Sequence, residues 1–424
     1  MSFSYYKRII DDEIDFRLKT FGAVLLIGPK WIGKTTSAEQ KAKSIIRFQD
    51  PDKIKGYIET ANVKPSILLE GDCPRLIDEW QIIPNIWDAV RLSVDMNKKK
   101  GMYILTGSNS TSGNDNMHTG IGRISTLKMY PMSLYESNDS NGKVSLEKLY
   151  NDNKYNFDGV KSELSIEELV FVTCRGGLPE AVLARDDDSK LYISKDYINS
   201  ICISDINTVD GVDRNVLLVK SLLKSYARNV STIVKKTKLK SDLENEFPTL
   251  SAPTMDSYLN ALSKLFVIEN VEAWNTNIRS KTSASALPKR IFTDPSFAIA
   301  SLGLKPQDLL TDMNTFGFLF ENLCIRDLKI YSSHLNGDIR YYRDRTGLEA
   351  DIVLTIDNEN YALIECKLGS SGIEDGVKHL LKLESLIKEK NVRKPTFKMI
   401  ITGGEMAYTR KDGVHIVPIG CLGV

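Results

Sequence analysis

The chain has 424 residues, 42% of them hydrophobic and 26% charged, which suits a folded protein of several domains and excludes a largely disordered one. With 56 Lys and Arg against 55 Asp and Glu there is almost no net field, so any nucleic-acid contact must come from a local patch. Six scattered cysteines without Cys-x-x-Cys spacing argue against a disulfide framework or a structural zinc, and no apolar run approaches the roughly 20 residues of a membrane helix. Residues 1–20 lack the apolar core of a signal peptide, so the expected setting is a reducing cytoplasm with no membrane association.

The first strong signal is "FGAVLLIGPKWIGKTTSAEQKAKSII" at 21–46. A buried-strand run leads into Gly28-x-x-x-x-Gly33-Lys34-Thr35 and then into a helical pattern, the order a phosphate-binding P-loop requires. Gly28, Pro29, Lys30, Trp31, Ile32, Gly33, Lys34, Thr35 and Thr36 form the expected nucleotide cradle. Glycines let backbone N–H groups wrap the phosphates, Lys34 reaches the β and γ oxygens, and the Thr35 hydroxyl binds Mg²⁺. ATP and Mg²⁺ are therefore the expected ligands.

Such a site also needs acids, and "RLIDEWQIIP" (75–84) ends a short apolar run on Asp78-Glu79. Asp78 is expected in the metal shell, and Glu79 as the group that orients or deprotonates the attacking water. A second buried-type strand, "GMYILTGSNS" (101–110), ends in polar residues; Ser108 or Asn109 is expected to sense the γ-phosphate.

The segments "GPKWIGKTT", "LIDEWQIIPNIWDAVRLSVD", "YILTGSNS" and "GIGRISTLKMYPMSLYE" resemble, in order, blocks of the AAA-type ATPases, mostly bacterial and archaeal, that end in a nuclease-like domain of unknown function. The resemblance implies that Arg123 of "GIGR" acts as a finger on a neighbouring subunit's γ-phosphate, which requires self-association into a homo-oligomer. It also implies a helical lid whose Gly177-Leu178-Pro179 turn lies near the base, with Arg175 facing the phosphates; a plain helix–helix turn fits "CRGGLPEAVLA" equally well.

Between Arg214 and Arg290 there are thirteen Lys and Arg against six Asp and Glu. "VSTIVKKTKLK", then the Ser-capped "SAPTMDSYLNALSKLFVIENVEAW", reads as helix, helix and β-run, the order of a winged helix. Thr254, Ser257 and Tyr258 are expected on or near a DNA-facing surface, with the lysines on phosphates.

Near the C-terminus, a helix pattern with Glu321 is followed by "ADIVLT" with Asp351 and "YALIECKLG" with Glu365 and Lys367, which read as a hairpin. A Glu-x-Lys triplet alone arises about twice by chance in a chain this long. Its ordered company is the order of the PD-(D/E)xK nuclease fold, to which the family resemblance also points. Asp351 and Glu365 are the expected metal ligands, and Glu321, Asp351, Glu365 and Lys367 the expected catalytic set, with Lys378 or His379 able to complete it. Glu349 adds a further acid; as a plain scaffold, Asp351 and Lys367 would simply pair.

The expected fold class is α/β multidomain: an AAA-type parallel-sheet P-loop core over 1–140, a helical lid over 141–210, a winged helix over 211–305, and a small α/β PD-(D/E)xK-like domain over 306–424. The expected function is ATP binding and hydrolysis coupled to DNA binding or processing. The alternative is a nucleotide-switched scaffold or adaptor whose nuclease-like domain no longer cuts.

Overall fold

The structure, a computed structural model, describes residues 5–108, 120–274, 286–356, 360–389 and 393–424. Two compact units are resolved, one of residues 1–130 with 264–266, the other of 131–263 with 267–424. The segments expected as lid, middle module and C-terminal domain fall in the second unit, apart from residues 264–266.

In the first unit, α1 (Ile10–Thr20) precedes β1 (Ala23–Ile27), α2 (Lys34–Glu39), β2 (Ser44–Arg47), α3 (Ile54–Val63), β3 (Arg75–Asp78), α4 (Asn85–Asn97), β4 (Tyr103–Gly107) and β5 (Ile124–Lys128). The strands form one parallel sheet in the order β2-β3-β4-β1-β5. Runs such as "AVLLI" and "YILTG" are apolar on both faces because helices cover both sides of a parallel sheet. Leu25, Ile77 and Leu105 from three adjacent strands pack with Trp80, Trp87 and Val90 in the core. This sheet order brings the ends of β1, β3 and β4 together, and those ends carry the polar residues.

The second unit opens with β6 (Val144–Ser145), α5 (Leu146–Asn151), α6 (Ile166–Arg175), α7 (Pro179–Leu183), α8 (Asp187–Ser200) and, after a π-helical turn at 201–205, α9 (Ile206–Thr208). Ser165 starts α6 with a capping box to Glu168, as its Ser-x-x-Glu spacing dictates. The chain continues through α10 (Val216–Arg228), β7 (Thr232–Ile233), α11 (Lys236–Ser241), α12 (Ala252–Lys264), β8 (Ile268–Val271) and β9 (Lys289–Phe292). The three strands pair antiparallel in the order β7-β9-β8. Tyr258 and Ser257, expected near a DNA-facing surface, instead turn toward the protein. Tyr258 is buried and accepts from the Asn215 N–H at 2.9 Å, while Ser257 accepts from Arg214 at 3.1 Å. The apolar stripe of α12 includes Met255, Leu259 and Leu262, and Tyr258 shares that face.

Then come α13 (Pro295–Leu302), α14 (Pro306–Thr311), α15 (Met313–Tyr331), β10 (Asp338–Arg343), β11 (Glu349–Thr355), β12 (Tyr361–Lys367), α16 (Ile373–Glu389), β13 (Phe397–Thr402), β14 (Tyr408–Thr409), β15 (Val414–Pro418) and β16 (Leu422–Gly423). A mixed sheet runs β10-β11-β12-β13-β15-β14, with β10, β11 and β12 antiparallel in turn and β12, β13 and β15 parallel. β16 pairs with β6 instead.

A fully buried ion cluster ties this unit together. Arg326 of α15 reaches Asp294 at 2.8 Å and Asp327 at 2.7 Å, with all three side chains sealed from solvent. Asp294 also accepts from the N–H groups of Gly177 and Ser296, and Asp327 from the Leu134 N–H and the Tyr331 hydroxyl. Burial of charge is tolerated because every carboxylate has several donors.

Candidate functional site

Two clusters of chemistry-bearing side chains stand out, one in each unit. In the first, the loop between β1 and α2 is shaped by two glycines. Gly28 has φ +145°, and a Cβ there would lie 2.3 Å from the Met129 carbonyl oxygen. Gly33, at φ +91°, turns the chain into α2. Lys34 is buried and folds back over its own loop, its ammonium donating to the carbonyls of Gly28 at 3.0 Å and Pro29 at 2.6 Å. Burial lowers its pKa to about 8, only partly offset by the charges of Glu79 and Asp78. Trp31 of the same loop is exposed, also at positive φ.

Asp78 ends β3 with no exposed surface and accepts from Thr35 Oγ1 at 2.7 Å, Thr106 Oγ1 at 2.6 Å and Gln49 Nε2 at 3.1 Å. The next residue, Glu79, is left-handed at φ +53°, a conformation that costs a non-glycine residue free energy and is often kept at functional positions. Its N–H donates to Thr106 Oγ1 at 3.2 Å. Its carboxylate accepts from the Gln81 amide and, at 3.4 Å, from the hydroxyl of Ser108, itself buried at the end of β4. Gly28, Gly33, Lys34, Thr35, Asp78, Glu79 and Ser108 thus lie around the ends of three adjacent strands. Asn109 lies outside the described residues. Arg123 precedes β5, exposed and paired with Asp95 at 2.8 Å.

Thr106, Gln49, Gln81 and Arg8 were not anticipated. Arg8 donates to the Ile32 carbonyl of the loop and to the Tyr130 carbonyl, each at 2.9 Å, while Tyr5 bonds Asp11 and, at 2.9 Å, Ser37 of α2. The segment before α1 therefore braces the glycine-rich loop from behind. Thr106 had a signal in sequence, a threonine closing an apolar run; Arg8 had none.

Thr35 and Asp78 fit Mg²⁺ as a donor set: one neutral and one anionic hard oxygen, converging at 2.7 Å and leaving the remaining positions for phosphate and water.

Arg175, expected to face phosphates, lies in the second unit. It is buried there, bonded to Asp139 at 2.6 Å and to the Gly176 carbonyl, so its charge is already neutralised within that unit.

The second cluster gathers Glu321 from α15, Asp351 from β11, and Glu365 and Lys367 from β12. Lys367 lies 2.5 Å from Glu365 and 3.7 Å from Asp351; Asp351 also accepts from the Cys366 N–H at 2.9 Å. Glu365 has no exposed surface, and burial raises its pKa well above the carboxylate range. His379 stands 3.9 Å from Glu365, whereas Lys378 is exposed and paired with Asp375, and Glu349 turns to Arg343 at 3.7 Å. The surprise is Lys289 of β9. Its buried ammonium contacts the Glu321 carboxylate, donates to the Asp351 carbonyl at 3.0 Å and lies 3.9 Å from Asp351 Oδ1. Burial opposes its charge, but Glu321 and Asp351 hold it above the ordinary lysine range.

Comparison with known proteins adds three family matches along the chain. Residues 20–138 match the model of an AAA domain, residues 166–308 a domain of unknown function (DUF8612), and residues 316–422 another (DUF4143). An uncharacterized protein of Haemophilus influenzae is 25% identical over 252 residues, covering 58% of this chain and 55% of that protein, so the match spans about half the length of the curated relative. Among solved structures, a Walker-type ATPase of Pyrococcus abyssi aligns over 70% of this chain and 96% of its own at 12% identity and a TM-score of 0.43. AMPPCP-bound DnaA from Aquifex aeolicus aligns over 60% of this chain and 84% of its own at 11% identity and a TM-score of 0.27.

Proposed function

We propose that the chain is a Mg²⁺-dependent P-loop ATPase. The observation that carries this reading is the convergence of a buried, underneutralised Lys34 with the hydrogen-bonded set Thr35, Asp78 and Thr106, inside the segment that matches an AAA domain. An ammonium held by two carbonyls in a glycine-shaped loop suits a triphosphate, whose charge would supply what burial has withdrawn. Thr35 and Asp78 would hold the Mg²⁺, which when bound neutralises charge on the phosphates. Glu79 is the proposed base for the attacking water, with Gln81 and Ser108 fixing its carboxylate. Lys34→Ala should abolish ATP binding, whereas Glu79→Gln should bind ATP with near wild-type affinity and fail to turn it over. Equal turnover by wild type and Glu79→Gln would refute the assigned base.

Arg123 is the proposed finger on a neighbouring copy, supported by its exposure beside β5. We also propose coupling to DNA through the middle module. The sequence of helices and strands from α10 to β9 has winged-helix order, which supports the reading, although Lys236, Lys238 and Lys240 already face Asp256, Asp242 and Glu244. Lys195, Lys220 and Lys224 line a separate cleft of about 420 Å³ beside α8, α10 and α13, a better candidate for phosphates. Duplex binding that does not weaken with rising salt, or none at low salt, would remove DNA from this account. The helix, three strands, helix and strand from α15 to β13 support a PD-(D/E)xK-like reading of the C-terminal part. There a specific observation favours the scaffold alternative over cutting: each carboxylate of the second cluster already has a lysine. The six free cysteines support a reducing cytoplasmic setting. Among the described residues no helix is long and apolar enough to cross a membrane.

A further inference from the structure

We propose that Lys289 is the resident cation of the Glu321, Asp351 and Glu365 cluster, and that these carboxylates accept a divalent metal only when its ammonium is removed. A hard divalent ion needs oxygens converging on one point, and an ammonium already seated among carboxylates competes for the same oxygens. Here Lys289 lies between Glu321 and Asp351, and Lys367 between Asp351 and Glu365, so the gaps between the three acids hold nitrogen. Among the described residues no group of three His, Cys, Asp or Glu side chains has the spacing to hold a metal. A divalent ion placed beside Asp351 would stand within a few ångströms of two ammonium groups, with little water to screen the repulsion, because Lys289, Glu321, Asp351 and Glu365 are all buried.

The origin of Lys289 makes this more than incidental pairing. It is the first residue of β9, in the three-stranded sheet of the middle module, and it reaches across to α15 and β11. Its Nζ bonds a side chain 32 residues away and a carbonyl 62 residues away, so the contact forms only when the middle module packs on the mixed sheet. A cluster that looks armed from α15, β11 and β12 alone is neutralised by a residue those elements do not contain. Metal exclusion is thus a property of the packed unit.

The test uses the full chain without nucleotide, so that the P-loop has no phosphate to help retain metal. Mn²⁺ binding is measured by electron paramagnetic resonance and by the shift in melting temperature for wild type, Asp351→Asn, Lys289→Met, and Lys289→Met with Asp351→Asn. Wild type should show no Mn²⁺ binding that Asp351→Asn removes. Lys289→Met, which keeps most of the apolar stem and loses the charge, should bind one additional Mn²⁺ at least tenfold more tightly, and adding Asp351→Asn should abolish the gain. Mn²⁺ binding, or a Mn²⁺-induced rise in melting temperature, that wild type shows and Asp351→Asn loses would overturn the proposal. So would a folded Lys289→Met that gains no metal. Should Lys289→Met fail to fold, the comparison of wild type with Asp351→Asn still decides: an identical Mn²⁺ response supports exclusion, and a lost response refutes it. ATP turnover by these variants should match wild type, so failure of the ATPase reading would be seen separately.

Discussion

Raising the pH from 7 to 9 should weaken nucleotide binding about tenfold, because Lys34 in the free protein titrates near 8. With a pKa of about 8 the free protein carries the ammonium in about 90% of molecules at pH 7 and in about 10% at pH 9. A bound triphosphate returns the group toward or above its ordinary 10.5, so at pH 9 binding must take up a proton that at pH 7 is already there. The loss is about 1.4 kcal/mol, with proton uptake rising from about 0.1 to about 0.9 per ATP bound. Calorimetric titration with a non-hydrolysable ATP analogue, in buffers of different ionisation enthalpy, reads both quantities. Lys34→Arg should abolish the dependence over this window because guanidinium stays charged. The sign for folding follows the same linkage. A folded pKa below the unfolded one means the native state binds fewer protons between pH 8 and 10.5, so Lys34 penalises the nucleotide-free fold below pH 8 and that penalty fades as pH rises through the window. Unchanged affinity between pH 7 and 9 with no proton uptake would refute the reasoning.

Arg326→Leu should lower stability by about 3–5 kcal/mol at pH 7, since it strands the buried Asp294 and Asp327 without their cation; chemical denaturation checks it. Arg8→Ala leaves the buried Ile32 carbonyl short of a donor, so stability should fall by about 1–3 kcal/mol and nucleotide affinity about tenfold; chemical denaturation and analogue titration read the two. Arg123→Ala should leave stability within about 1 kcal/mol, because its pair with Asp95 is exposed, yet reduce turnover at least a hundredfold. Wild-type turnover per chain should rise with protein concentration; a flat profile with an active Arg123→Ala rules out the finger.

The glycine-rich loop and the Asp78-Glu79 strand end were legible because their chemistry depends on spacing within a few residues. What packs around them was not. Gln49 and Thr106 reach Asp78 only through the sheet order β2-β3-β4-β1, which no local pattern reveals. Arg8 makes its contacts across 24 and 122 residues. Glu321, Asp351, Glu365 and Lys367 were found by their order along the chain, and the structure does gather them. Lys289 carries no local signal in the sequence, because it begins a short strand after a stretch of polar residues in what reads as another module. Tyr258 joins the buried face of α12, since a tyrosine beside apolar residues can head either way until tertiary packing decides. Arg175 had a glycine-rich context that suggested phosphate, yet its partner was an aspartate 36 residues upstream.

The place of β4 between β1 and β3 has a mechanical consequence. A strand hydrogen-bonded along both edges cannot slip along its axis without breaking two ladders at once, so its end is a fixed post rather than a spring. Ser108 stands on that post, with Glu79 on the end of the neighbouring β3. Ser108 and Glu79 thus sit on the ends of two strands locked side by side, so the sheet itself sets the separation between the hydroxyl and the carboxylate.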